Sequence, residues 1–321
     1  MLPHVWTIAR NTFTESVRQP VFVVLLLGTI LLLALGPAIC ANTLDDDNKL
    51  LMDVGLSTLV LAGLLLAAFS ATGVLSREIE NQTVLSVLSK PVGRPAFVLG
   101  KYLGVTGAVG VAFVVWSFAF LLTVRHKVPM HAAEELDLPV LVFGLGAVLL
   151  AAGIAVCGNY FFGWVFASAL TALLTPLLAS AFVLTLALDK HWQIQELTHD
   201  LNGQLLWALL LVLETLGMLC AVAIAASIRL RQVPTLLCCI AFFLLGLSSS
   251  YFFGPSTQAQ GVAVLWHALV PNLGFLWQAD ALTQGNILTP EHVALVSAYA
   301  GLHTLAALGL AVALFQTREV G

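Results

Sequence analysis

Residues 138–188 read LPVLVFGLGAVLLAAGIAVCGNYFFGWVFASALTALLTPLLASAFVLTLAL and contain no Asp, Glu, Lys or Arg. A helix needs about 20 apolar residues to cross the hydrocarbon of a bilayer, so this run is long enough for two crossings. Gly158, Asn159 and Gly163 lie near its centre, and turn-forming residues at that place predict that the chain reverses there. The run therefore predicts a pair of membrane-spanning helices joined by a short turn.

The rest of the chain has the same apolar character. Of its 321 residues, 60% are hydrophobic and 9% are charged, with a mean hydropathy of +0.98. A water-soluble domain would need several times that share of charge to cover its surface. The fold class predicted is an all-α polytopic integral membrane protein with about eight transmembrane helices, formed by residues 21–41, 54–76, 102–124, 138–158, 160–188, 205–226, 233–253 and 293–315.

The distribution of Lys and Arg predicts the orientation of these helices. Because cytoplasmic loops carry an excess of positive charge, we expect both termini on the cytoplasmic side of the plasma membrane. This arrangement places nine basic residues inside: Arg10, Arg18, Arg77, Lys90, Arg94, Lys101, Arg229, Arg231 and Arg318. It leaves four outside: Lys49, Arg125, Lys127 and Lys190.

Two segments do not fit the pattern of simple spans. Residues 1–20 alternate apolar and polar side chains at helical spacing, which is typical of an N-terminal amphipathic helix at the membrane interface. A helix packed on the bundle is the alternative. Residues 261–285 include an apolar stretch, 262–279, that Pro271 and Asn272 interrupt, so we expect an outer interfacial or re-entrant element, with a ninth span as the alternative.

The cytoplasmic loop 76–101, SREIENQTVLSVLSKPVGRPAFVLGK, is longer and more charged than a chain reversal requires. Ser76 is expected to cap a short helix whose first turn contains Glu78, where a carboxylate is favoured by the helix dipole. Ile79 and Leu85 continue an apolar stripe, and Pro91 ends the helix. Such a helix is suited to receive a cytoplasmic partner; a positively charged anchor that fixes topology is the alternative.

The loop also carries a family resemblance. Ser76-Arg77-Glu78-Ile79-Glu80 with Thr83, Leu88-Ser89-Lys90-Pro91-Val92 with Arg94, and Leu99-Gly100-Lys101-Tyr102-Leu103-Gly104 resemble the corresponding loop of type-2 ABC transporter permeases, the membrane subunits of ABC exporters. Weaker similarity lies at Arg18-Gln19-Pro20, at Leu269-Val270-Pro271-Asn272-Leu273 and at Ala313-Leu314-Phe315 with Arg318-Glu319. The sequence departs from that family in its middle, because the family core has six spans and two helices around 164–226 have no counterpart.

The resemblance implies that the loop holds a coupling helix that docks on an ATPase subunit. The residues expected to couple to that subunit are Arg77, Glu78, Ile79, Glu80, Thr83, Leu85, Lys90, Pro91 and Arg94. It further implies a cytoplasmic ABC ATPase and a second permease as partners. Membrane lipids are expected around the chain, and no nucleic acid.

No phosphate-binding G-x-x-x-x-G-K-[ST] motif is present, so this chain has no such route to nucleotide hydrolysis. We therefore expect a non-catalytic transport subunit with no catalytic residue, metal or cofactor of its own, and ATP with Mg in the partner ATPase. The expected function is the permease of an ATP-driven exporter.

Two polar residues within the apolar runs support rival functions. Placing the side chains of Glu214 and His303 in hydrocarbon costs free energy, so we expect each of them to serve either structure or transport. A proton-coupled secondary transporter that uses Glu214 is one alternative to the exporter, and a non-transporting membrane scaffold for a cytoplasmic complex is another.

Overall fold

The structure is a computed structural model that describes residues 2–41, 47–80, 93–128, 136–199, 202–253, 270–279, 282 and 287–316. These residues form ten α-helices and no named strand. The helices are α1 Leu2–Val17, α2 Pro20–Cys40, α3 Asp47–Glu80, α4 Arg94–His126, α5 Leu138–Phe162, α6 Phe166–Ala187, α7 Gly203–Ser227, α8 Gln232–Leu247, α9 Ser249–Phe253 and α10 Pro290–Gln316.

Seven of the described helices are long and apolar enough to cross a membrane: α2 to α7 and α10. The seventh predicted span, 233–253, forms α8 and α9, which meet at Ser248. The all-α polytopic fold predicted from the sequence is confirmed. The centre of the bundle is α7, which is the most buried of the seven and packs against α3, α4, α8 and α10.

The central helices approach closely because side chains of one helix pack directly against glycines of the next. A Cβ at Gly63 of α3 would lie 2.4 Å from Leu216 of α7, and one at Gly55 would lie 2.1 Å from the ring of Phe120 on α4. Small residues let helix backbones approach where water does not drive association. Glycine at these two positions is therefore required by the packing of α3.

The first helix packs on the bundle, along the N-terminal half of α4. A Cβ at Gly100 would meet Ile8, one at Gly104 would meet the carbonyl oxygen of Ala9 at 2.6 Å, and Phe13 lies nearest to Gly107. Successive turns of α1 thus follow successive turns of α4 in the same direction. The amphipathic helix is present, but this contact corresponds to the alternative of a helix packed on the bundle.

The buried face of α1 differs from the apolar face expected from the sequence. Thr12 and Ser16 are fully buried, on the same face of α1 as the buried Ala9. Trp6, one of the large apolar residues of this helix, is 72% exposed. The glycines of α4 let the two helix backbones approach closely, and only small side chains fit between helices at that distance.

The turn between α5 and α6 is where the charge-free run predicts it. Gly163 ends α5 with φ +67°, a left-handed conformation that favours glycine. The Asn159 side chain donates to the Trp164 carbonyl at 2.6 Å, and the Trp164 ring lies so close to Gly158 that no Cβ fits there. Each of the three predicted turn residues thus has a specific role in the reversal.

The stretch 270–279, the described part of the outer segment, contains a 3₁₀ turn at Leu273–Phe275. Leu273 is buried against Gly246 of α8, close to the break between α8 and α9. The remaining residues of 261–285 lie outside the described residues, apart from Leu282. The interfacial or re-entrant placement of the whole segment therefore stays a prediction.

Arg125, which the sequence placed among the outer charges, is buried in the last turn of α4. Its Nε lies 3.4 Å from Asp137, and its two terminal nitrogens donate to the carbonyls of Thr185 and Leu188 at the end of α6. Asp137 is the N-cap of α5 and accepts from the Val140 amide at 3.3 Å. One arginine thus fixes three helix ends.

We expect Gly104→Ala to destabilise the protein, because the added Cβ would meet the Ala9 carbonyl oxygen and the Thr12 Cβ, which cannot move away without separating α1 from α4. Overpacking of this kind costs about 1–3 kcal/mol. Gly110→Ala is the matched control, since that position of α4 has open space around it. Thermal unfolding in detergent should show a lower midpoint for G104A only; equal midpoints would contradict the contact.

We expect Asp137→Asn to lower stability by about 3 kcal/mol, because it leaves the buried Arg125 charge without its carboxylate. Asn keeps the ability to cap α5, so the change isolates the ion pair. Asp189→Asn is the control, since Asp189 is half-buried in the loop after α6. Unfolding by SDS titration measures both, and equal midpoints for the two variants would show that the ion pair does not stabilise the fold.

Candidate functional site

The segment expected to couple to an ATPase emerges between two unusually long helices. α3 has 34 residues and α4 has 33, so each is about 50 Å long at 1.5 Å per residue. The hydrocarbon core is about 30 Å thick, so each helix extends well beyond one crossing. Residues 81–92 connect their ends on the same side of the bundle.

The expected coupling residues fall into three groups. The backbone of Arg77, Glu78, Ile79 and Glu80 forms the last turn of α3. Thr83, Leu85, Lys90 and Pro91 lie outside the described residues. Arg94 begins α4.

The structure corrects two details of the loop. Ser76 does not cap a separate helix, because α3 runs through it without interruption to Glu80. Lys101 does not lie in the loop, because α4 begins at Arg94 and Lys101 is buried, 3% exposed, with its Nζ 5.5 Å from the centre of the Phe97 ring. A long methylene stem lets lysine pack in this way within an apolar helix contact.

The return side of the loop is fastened to the last helix. The Arg94 guanidinium donates to the Gln316 carbonyl at 2.6 Å, and the rings of Phe97 and Phe315 stack with centroids 5.3 Å apart. Arg229, in the turn between α7 and α8, donates to the Leu314 carbonyl at 3.2 Å. Cations at the C-terminal carbonyls of a helix are favourable for its dipole as well as for hydrogen bonding, so α4, α7 and α10 are tied together beside the coupling segment.

Glu214 lies in the middle of α7. Its Oε2 is buried and has no hydrogen-bond partner within the described part of the chain. Leaving a buried carboxylate oxygen unpaired costs free energy, so this residue is not explained by a structural hydrogen bond.

His303, in contrast, has a structural environment. Its Nδ1 is 3.2 Å from the Tyr299 carbonyl, and the two rings lie 4.4 Å apart. The Tyr299 hydroxyl accepts from the Asn272 amide at 2.7 Å, and the Asn272 side chain donates to Ser250 at 2.6 Å. His303 thus belongs to the contacts that hold residues 271–273 against α9 and α10, and no hydrogen bond or ion pair joins it to Glu214 among the described residues.

The sequence did not predict the cavity at the end of the bundle where α4 and α6 end. Its volume is about 750 Å³, and α3, α4, α6 and α7 surround it. Arg125 and Asp137 line it together with Lys127, Asp189 and Lys190. The sequence Asp137-Leu138-Pro139 could have indicated one of its lining residues, because an acidic N-cap residue followed by proline predicts the start of a helix. The carboxylate of such an N-cap residue is held in one position.

Comparison with known proteins was made over the whole chain. Residues 6–158 match the model of a family described as "ABC-2 family transporter protein". No curated protein matches the chain. The matched part begins in α1, contains the long helices α3 and α4, and ends in α5.

The matched residues include the loop whose sequence resembles that of type-2 ABC transporter permeases and the two helices that carry it. This match supports the resemblance to type-2 ABC transporter permeases, and the apolar helices support an integral membrane protein.

Proposed function

We propose that this chain is the membrane subunit of an ATP-driven exporter and that a separate ATPase subunit docks on residues 77–94. The observation that carries the proposal is that α3 and α4, which flank the docking segment, are each longer than one membrane crossing. A long helix moves as a rigid body, so a displacement at one end of α3 or α4 is transmitted to its other end. A flexible loop would change its own conformation instead of transmitting the displacement.

The contacts of α4 support the transmission of such a push into the membrane. Its first turn is tied to α10 through Arg94 and Phe97, and its next two turns hold α1 through Gly100 and Gly104. Further along, the Trp116 indole donates to the Leu26 carbonyl of α2 at 3.1 Å. A displacement of the cytoplasmic end of α4 therefore acts on α1, α2 and α10 together.

The resemblance of the loop implies an assembly of two permeases with two ATPases, and we propose this stoichiometry. In it, ATP and Mg bind to the ATPases, and this chain contributes no catalytic group. The excess of basic residues at the ends of α1, α3, α7 and α10 supports placing the termini and the docking segment in the cytoplasm. The proposed location is the plasma membrane.

We expect replacement of Glu78 and Glu80 together by Lys to reduce co-purification of the ATPase subunit by at least about tenfold, because juxtaposed like charges at an interface cost several kcal/mol. The matched control is Glu134→Lys with Glu135→Lys, which changes the same charge in the predicted outer loop. Pull-down of the ATPase with each tagged permease measures the effect. Equal recovery with both variants would place the docking site elsewhere.

The unpaired carboxylate oxygen of Glu214 favours one rival, a secondary transporter driven by protons. If ATP drives export, Glu214→Gln should leave transport into inverted vesicles within about twofold of the original rate, because the amide has nearly the same shape. Transport should stop without ATP in both proteins. Transport that continues without ATP and is lost in E214Q would establish the rival.

The same reconstituted complex tests the scaffold alternative. A transporter should show ATPase activity that rises with its substrate, because hydrolysis and substrate movement are coupled. A stable complex whose ATPase activity responds to none of a broad panel of lipids, drugs and peptides, and which moves none of them, would favour the scaffold.

A further inference from the structure

A polar cleft lies where α1 meets α2, and its volume is about 540 Å³. The residues that line it come from one short stretch of chain: Arg10, Asn11, Thr14, Glu15, Arg18, Gln19 and Pro20. Its size lies within the range of small-molecule binding sites. Two arginines and one glutamate give the lining an excess of positive charge.

Both arginines of the cleft are exposed, and neither guanidinium has an ion pair or hydrogen bond with any described residue. Arg94 and Arg229, which lie at the same end of the bundle, donate to carbonyls of α10. The arginines of the cleft are thus available to an external acceptor. A guanidinium binds phosphate oxygens in a bidentate manner, which makes arginine well suited to this group.

The position of the cleft identifies the source of the phosphate. The membrane-spanning helix α2 begins at Pro20, so Arg18 lies at the edge of the hydrocarbon and Arg10 lies two helical turns further out. The opposite face of α1 is buried against α4, so the cleft faces away from the bundle.

We propose that this cleft binds the headgroup of an anionic phospholipid of the cytoplasmic leaflet. Arg10 and Arg18 hold the phosphate. The cytoplasmic leaflet is the side rich in anionic lipid, and each basic residue near its surface adds to the attraction. The bound lipid joins α1 to α2 at the point where Gln19 and Pro20 interrupt the helix.

The test is titration of phosphatidylglycerol and of phosphatidylcholine into the detergent-solubilised full chain, with bound lipid counted by native mass spectrometry. We expect Arg10→Gln and Arg18→Gln each to weaken phosphatidylglycerol binding about fivefold and to leave phosphatidylcholine binding unchanged. Arg231→Gln is the matched control, since Arg231 is also exposed and without a side-chain partner among the described residues but lies outside the cleft. High salt should weaken the binding in the original chain.

Several results would overturn the proposal. They are equal loss of both lipids, the same loss in R231Q, or displacement of phosphatidylglycerol by inorganic phosphate, which would indicate a site for a soluble anion. Unchanged lipid binding with reduced ATPase co-purification in R10Q and R18Q would assign the face to the protein partner instead. Thermal unfolding of each variant shows whether it is folded, which separates lost binding from lost structure.

Discussion

The carbonyl groups at the ends of helices are the constraint on which this bundle depends. The last four carbonyls of a helix have no partner within that helix, and an unpaired polar group is costly away from water. Here arginines from other elements donate to carbonyls in the last turn of a helix, or just after it: Arg125 at the end of α6, and Arg94 and Arg229 at the end of α10. Because each guanidinium is carried by a different element from the carbonyl that it binds, satisfying a helix end also fixes the position of a neighbouring helix.

The approximate bounds of seven of the eight predicted spans could be obtained from the sequence, because bilayer thickness imposes a long apolar run on each of them. The ends of the helices could not, since a helix continues after its hydrophobic run for as long as packing supports it. The predicted third span, 102–124, therefore begins eight residues earlier, at Arg94, and the second continues through Ser76. The loop 76–101 contained the ends of two helices.

The buried face of α1 shows a different limit of sequence analysis. A periodic pattern identifies apolar side chains, but Thr12 and Ser16 are buried because Gly104 and its neighbours admit a close contact. The hydroxyl oxygens of both, together with Gln19 Nε2 and Ser70 Oγ, have no hydrogen-bond partner in the described part of the chain. Unpaired buried groups weaken a contact. The contact between α1 and its neighbours is therefore held by close packing more than by side-chain hydrogen bonds.

The central position of α7 changes how the matched region should be understood. The family match ends at residue 158, within α5, whereas the most buried helix of the bundle, α7, lies beyond it. The sequence treated the two helices around 164–226 as additions to a six-span core, but α7 packs against both long helices α3 and α4. A displacement of α3 or α4 would therefore act on α7, and Glu214 lies midway along that helix. The long helices of the matched region thus pack around α7, a helix that lies outside that region.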